Sequence, residues 1–312
     1  MNFRELLNFY GEKKEPFFFI TNYDKTKFEV LPLKNLPKDI TYEISDKQKF
    51  TKHTTPLKKQ FISFEKYSVQ FETLQNEIRN GNSYLANLTS QTKIQTPLSL
   101  REIYKNANAK FKLYYKNQFV CFSPERFCQI KDDTIYTYPM KGTIDADISN
   151  AEEIILSDTK ELAEHTMIVD LLRNDLSIVS KNVQVENFRY VEKIKAGNKE
   201  LLQISSKISG KLDKQWESKI GDIISSLLPA GSITGTPKKK TVQILEEIEN
   251  YDRGYFTGIF GVYDGKQLDS GVMIRFIEKN KENYIYKSGG GITSDSCVKK
   301  EYQEMCDKVY IP

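Results

Sequence analysis

Residues 126–144, RFCQIKDDTIYTYPMKGTI, and residues 158–176, DTKELAEHTMIVDLLRNDL, decide the fold between them. The first stretch is a string of short runs of aromatic and β-branched residues separated by polar breaks, which is how short strands read. The second is the strongest helix of the chain. Asp158 with Glu161 three residues on has the pattern of a capping box, and Leu162, Ile168, Leu171 and Leu172 form an apolar stripe. Upstream, 83–94 and 110–123 read as further strands, and Phe64, Val69, Phe71, Leu74 and Ile78 predict a helix over 63–80 ended by Gly81. Residues 16–33, PFFFITNYDKTKFEVLPL, predict two strands across a turn at Asn22–Lys25, and the Lys- and Pro-rich 34–60 a loop or short connector. Downstream, 197–211 and 255–292 predict strands around helical stretches at 215–227 and 238–249. A last helix, about 298–309, follows a Gly-rich turn. Strands and helices come in blocks and not in strict alternation, so the expected class is α+β in one domain.

The chain has 312 residues, 46 Lys+Arg against 42 Asp+Glu, and a formal net charge of +4. Such balance excludes a nucleic-acid-coating protein and an acidic disordered chain. With 39% hydrophobic residues, 18 Tyr and 18 Phe, it has ample material for a large core. The amino terminus, MNFRELLNFYGEKKEPFFFI, is broken by charges before any signal-peptide core forms, and no apolar run is long enough to span a bilayer. Cys121, Cys128, Cys297 and Cys306 are scattered and form no C-x-x-C pair, which argues against zinc and against a disulfide framework. The expectation is a reduced, cytoplasmic, soluble protein. Two histidines, His53 and His165, are too few for a His-rich metal site.

Several residues carry possible chemistry. Glu161 and Glu164 on one helix, and Glu301 and Glu304 on the last, are each spaced i, i+3, so each pair of carboxylates shares a face. A solvated acidic face would give the same pattern. A hard divalent cation shared between the two helices would relieve their repulsion, and oxygen-only ligands suit Mg²⁺. Lys141, in YTYPMKGTI, ends a strand-like run where burial would free its amine for attack. Glu125, in FSPERF, is a candidate general acid or the partner of a cation such as Arg126. Gly289, Gly290 and Gly291 allow close approach of the backbone to an anion. Their spacing is not a dinucleotide fingerprint, and GSITGTPKKKT (231–241) lacks the Gly-Lys-Ser/Thr of a phosphate loop. Arg275, in VMIRF, is a cation inside an apolar strand and needs an anionic partner.

Taken in order, SPERF (123–127), PMKGT (139–143), ELAEHTMIVDLLRNDL (161–176), GSITGTPK (231–238), RGYFTGIFG (253–261), MIRF (273–276) and GGGITSDS followed by EYQEMCDK (289–308) resemble the chorismate-utilising enzymes. Among them the chain is most similar to aminodeoxychorismate synthase component I. The resemblance runs almost continuously from residue 60 to the end. It implies two large antiparallel sheets packed as a sandwich with helices outside and the site in the cleft. It also implies one chorismate-binding domain over 1–312, with 1–60 a shortened amino-terminal part and 61–312 the catalytic core.

The resemblance further implies the roles of the candidates. Lys141 is the residue that separates the aminodeoxychorismate synthases from the anthranilate synthases, which carry a small residue there. It would attack C2 of chorismate and be displaced when ammonia adds at C4, with Glu125 the general acid for the departing hydroxyl. Glu164 and Glu304 would ligate Mg²⁺, with Glu161 and Glu301 orienting waters or completing the shell. Arg275, the Gly289–Gly291 backbone, Lys308 and the Gly142–Thr143 backbone would hold the carboxylates of the substrate. No G-x-C-x-G elbow surrounds any cysteine, so glutamine-dependent activity implies a separate glutamine amidotransferase subunit. Leu85, Gln203 and Phe256 depart from residues common in the family, where Gln, His and Tyr stand, respectively. Anthranilate synthase component I is the alternative enzyme, and a non-catalytic chorismate-binding protein is an alternative of another class.

Overall fold

The computed structural model describes residues 1–46, 56–196, 199–281 and 283–311. Residues 47–55 of the expected 34–60 connector, and 197–198 at the head of the expected 197–211 strand, lie outside the described residues. The opening strand pair forms as expected: Phe17–Thr21 and Phe28–Pro32 lie antiparallel with Phe17 opposite Pro32. Asn22 holds their turn, accepting from the Lys27 N–H at 2.9 Å and donating to Thr26 Oγ1 at 3.1 Å. All five residues of Phe17–Thr21 are buried, so this run is apolar on both faces instead of alternating.

Two compact units divide the chain. The first comprises Met1–Leu36, Glu125–Gly231 and Ile259–Val272, and the second Pro37–Pro124, Ser232–Gly258 and Met273–Pro312. In the first unit a nine-stranded antiparallel sheet runs Met140–Asp145, Lys199–Lys211, Thr134–Thr137, Arg126–Lys131, Leu268–Val272, Ile259–Tyr263, Phe17–Thr21, Phe28–Pro32. Its ninth strand, Lys181–Ala196, pairs with Lys199–Lys211. In the second, an eight-stranded sheet runs Gly235–Thr236, Leu85–Gln95, Asn283–Ile292, Phe276–Asn280, Phe119–Ser123, Phe111–Tyr115, Ile40–Ile44, with Lys58–Gln60 also on Leu85–Gln95. Two antiparallel sheets with helices make the α+β class expected from the sequence.

The long helix is Thr159–Val179, and the last is Val298–Asp307. Within the second unit, Tyr67, Phe71, Leu74 and Ile78 of helix Phe64–Arg79 pack with Ile244, Leu245 and Met305. Each such fully buried side chain contributes about 1.5–3 kcal/mol.

Several expectations are corrected. Val69 is 68% exposed and Tyr67 takes its place on the buried face. Leu162 is likewise exposed, and the buried face of the long helix holds Glu164 and His165 beside Ile168 and Val169. The Asp158 capping box is half formed: Asp158 Oδ1 accepts from Glu161 N at 3.0 Å, but the Glu161 side chain turns toward Gly142. The expected loop over 34–60 contains strand Ile40–Ile44, recruited by pairing with Phe111–Tyr115. Gly289–Gly291 lie within strand Asn283–Ile292, opposite Thr89, Leu88 and Asn87, and not in a turn. Arg275 is not inside a strand. It sits just before Phe276–Asn280 at φ 51°, half-buried, with its guanidinium 5.6 Å from the Tyr310 ring.

Candidate active site

Strand Met140–Asp145 meets Lys199–Lys211 at Met140–Ser205 and again at Thr143–Gln203, with a register shift between. Lys141 and Gly142 occupy that irregularity, and Gly142 takes φ +90°, which a residue with a Cβ resists. A Cβ on Gly142 would stand 2.8 Å from Glu161 Oε2. The glycine therefore lets the Glu161 carboxylate lie directly on the strand. Lys141 reaches the long helix, where its Nζ lies 2.7 Å from Glu164 Oε2, and Lys160 Nζ approaches Oε1 at 3.5 Å. Glu164 is 5% exposed. Burial pushes the Glu161 carboxyl above its ordinary value; nearby Lys141 opposes the shift and Glu164 adds to it.

The residue after Glu164 was passed over in the sequence because it has no second histidine nearby. His165 is fully buried, with Nε2 2.6 Å from Ser206 Oγ. Burial pulls its imidazole down to about 4, the Arg189 charge adds to this, and a Lys141 main-chain group opposes it. Its signal in the sequence was its place on the helix: three residues before Ile168, it falls on the inward face.

Glu125 is half-buried at the start of strand Arg126–Lys131, and its carbonyl accepts from Val272 N at 3.1 Å. Arg126 forms a two-pronged pair with Asp269, at 2.8 and 2.9 Å. Gln203 is buried opposite Thr143.

In the second unit the glycine strand and the last helix make a second cluster. A Cβ on Gly290 would lie 3.6 Å from Glu301 Oε2, 3.7 Å from Glu304 Oε1 and 3.7 Å from Lys308 Nζ. Lys308 Nζ donates to the Gly289 carbonyl at 2.8 Å and pairs with Glu304 at 2.6 Å. Glu301 is buried and Glu304 half-exposed at its side chain. The absent side chain at Gly290 thus leaves a floor on which two carboxylates and an ammonium converge. Leu85 is buried opposite Thr236, and Phe256 is buried with its ring 5.9 Å from that of Phe276.

Among the described residues no group of three or more His, Cys, Asp or Glu side chains is gathered to hold a metal. The donor chemistry nevertheless fits a hard cation. Glu161 Oε2 is a buried oxygen without a hydrogen-bond partner, and a buried acceptor left so is costly, while the equally buried Glu164 Oε1 has only the Lys160 ammonium at 3.5 Å. The two carboxylates of the long helix are also few enough for Mg²⁺, which fills its shell with water and substrate oxygens. No helix among the described residues is long and apolar enough to cross a membrane.

The sequence model of the family described as chorismate binding enzyme matches residues 3–312. A Haemophilus influenzae relative described as an uncharacterised PabA-like protein is 48% identical over 316 residues, 100% of this chain and 96% of the relative. The Bacillus subtilis aminodeoxychorismate synthase component 1 is 31% identical over 259 residues, 78% of this chain and 52% of the relative. The crystal structure of anthranilate synthase component I from Streptococcus pneumoniae superposes with a TM-score of 0.69 at 27% identity, covering 82% of this chain and 59% of that one. Similarity therefore reaches enzymes of both activities.

Proposed function

The chain belongs to the chorismate-binding enzyme family, and from that premise we propose that it aminates chorismate at C4 with ammonia to give 4-amino-4-deoxychorismate. The observation that supports this choice over anthranilate formation is the Lys141 amine, 2.7 Å from Glu164 and turned to the acidic helix instead of bulk solvent. In the proposed route the neutral Lys141 amine attacks C2, the ring double bond shifts, and the C4 hydroxyl leaves with a proton from Glu125. Ammonia then adds at C4, the double bond returns, and Lys141 departs, so that chorismate and ammonia yield product and water. Arg275, Lys308, the Gly142–Thr143 backbone and the Gly289–Gly291 backbone are the proposed holders of the substrate carboxylates. Mg²⁺, with Glu164 and Glu304 as ligands and Glu161 and Glu301 supporting them, would bind the ring carboxylate and draw the Glu164 charge away from Lys141. The proposed source of ammonia is a separate glutamine amidotransferase, with free ammonium as substitute, in the making of 4-aminobenzoate for folate.

The test is product identification from chorismate, Mg²⁺ and ammonium. The parent should make 4-amino-4-deoxychorismate and Lys141→Ala should lose it. Anthranilate from the parent would defeat the proposal, and an unchanged product from Lys141→Ala would defeat the role of the lysine.

A further inference from the structure

The proposed chemistry uses Lys141 and Glu164 but leaves the buried imidazole beside them without a task. His165 sits where the long helix faces strands Lys199–Lys211 and Met140–Asp145. On the inward face of the helix it lies among Glu164, Ile168, Val169, Asp175 and Leu176. An apolar residue would fill the same space without the cost of desolvating a ring nitrogen. The imidazole is instead used: Nε2 meets Ser206 Oγ at 2.6 Å, and that hydroxyl also accepts from the Arg189 N–H at 2.9 Å. Ser206 N in turn donates to the Pro139 carbonyl at 2.9 Å, two residues before Lys141. The ring of Phe188 packs edge-on against the imidazole at 5.8 Å.

These contacts form a closed loop. From Glu164 the path runs along the backbone to His165, across to Ser206, across again to Pro139, and along the strand to Lys141. The Lys141–Glu164 pair closes it. Every other link is a backbone segment or a hydrogen bond of 2.6–2.9 Å, so His165 is tied through Ser206 to the strand that carries Lys141.

We propose that His165 is a positioning residue that, through Ser206, fixes the Lys141 amine against Glu164 and so aims it for attack. The proposal rests on the functional reading above for its kinetic consequences, but not for its geometry. His165→Phe keeps a ring and removes the hydrogen bond, while Ser206→Ala removes one hydroxyl and serves should the first variant fail to fold. In ammonium-dependent turnover of chorismate, each should lower kcat about ten- to a hundredfold, the scale of losses from a misplacement near 1 Å. KM for chorismate should change less than kcat, because neither substitution removes a group proposed to hold the substrate. His165→Gln, whose amide reaches toward the same hydroxyl, should recover most of the loss.

Crystal structures of the two variants should show the Lys141–Glu164 separation beyond about 4 Å, the limit of an ion pair. Unchanged kcat in both variants, or a pair retained at its present distance, overturns the proposal. If the parent makes no 4-amino-4-deoxychorismate, the functional reading fails on its own, and the crystallographic distance still decides the role of His165.

Discussion

Gly142 and Gly290 are both small, for different physical reasons, and the difference can be measured. At Gly142 the backbone is at φ +90° and the missing Cβ is replaced by the Glu161 carboxylate. Gly142→Ala should therefore cost about 1–3 kcal/mol from backbone strain and displace that carboxylate as well. At Gly290 the backbone is ordinary strand, and a Cβ would meet Glu301, Glu304 and Lys308 at normal contact distances. Gly290→Ala should change stability by less than about 1 kcal/mol, while crowding the floor under those charges and raising KM for chorismate. Urea unfolding of both variants checks the order; a Gly142→Ala protein as stable as the parent would contradict the strain argument. Lys141 and the four glutamates became candidates through the order of motifs that carries the resemblance, and the structure brings Lys141 to Glu164, and Glu301 and Glu304 to Gly290. The register shift at Lys141 was not legible in the sequence, because a bulge depends on which strand pairs alongside. The partner of His165 was hidden too, since Ser206 lies on a strand whose pairing beside the helix is set by the fold.

At the scale of elements, the strands with aromatic and β-branched runs were readable, as was every helix of ten residues or more except Phe3–Glu12. The failures share a cause: short or charge-rich segments whose structure is set by partners. Helix Ala151–Ser157 has seven residues, too few for a clear period, and its Asn150 N-cap makes no side-chain bond. It is held instead by Arg189, whose guanidinium donates to the Ile155 and Leu156 carbonyls at 3.0 Å each. Arg189→Ala frees those carbonyls and should cost about 1 kcal/mol. Amide exchange should quicken over residues 151–157 first, and uniform protection there would show that the cap is not needed.

Arg189 lies on strand Lys181–Ala196, which the sequence concealed because charged residues interrupt its alternation. The same interruptions, with three register shifts, suit an edge strand that must not recruit another sheet. Strand Asn283–Ile292 carries an opposite case. Burial lowers the Lys287 ammonium from its ordinary value while Glu278, at 3.0 Å, pulls it up; the Asp252 and Arg253 carbonyls and the Tyr251 ring also face it. Folded protein thus gives up this proton at lower pH than the unfolded chain. Between those two pKa values the unfolded state binds more protons, so stability contributed here rises with pH. The stability of the parent minus that of Lys287→Met, from urea midpoints, should grow as pH rises toward the ordinary lysine value of 10.5. A flat difference would mean that the folded and unfolded chains hold this proton equally.

The whole molecule is woven from interleaved segments. The chain passes from one compact unit to the other at 36/37, 124/125, 231/232, 258/259 and 272/273, so neither unit is a continuous stretch. No single cut releases either unit intact, and neither sheet can be completed until segments far apart in sequence have met. The nine-stranded sheet joins Phe17–Thr21 to Ile259–Tyr263, and the eight-stranded one joins Leu85–Gln95 to Asn283–Ile292. Such pairings carry a large loop-closure cost that is recovered only when the rest of the sheet forms. This interleaving supports the proposal that residues 1–312 behave as one domain, and it makes a definite demand on unfolding. Trp216, the one tryptophan of the chain, lies in the first unit and reports on it by fluorescence. Amide protection along Asn283–Ile292 reports on the second. In urea the two signals should be lost at the same midpoint, as a cooperative two-state transition requires. Separate midpoints would mean that each unit, despite its interleaved segments, is stable without the other.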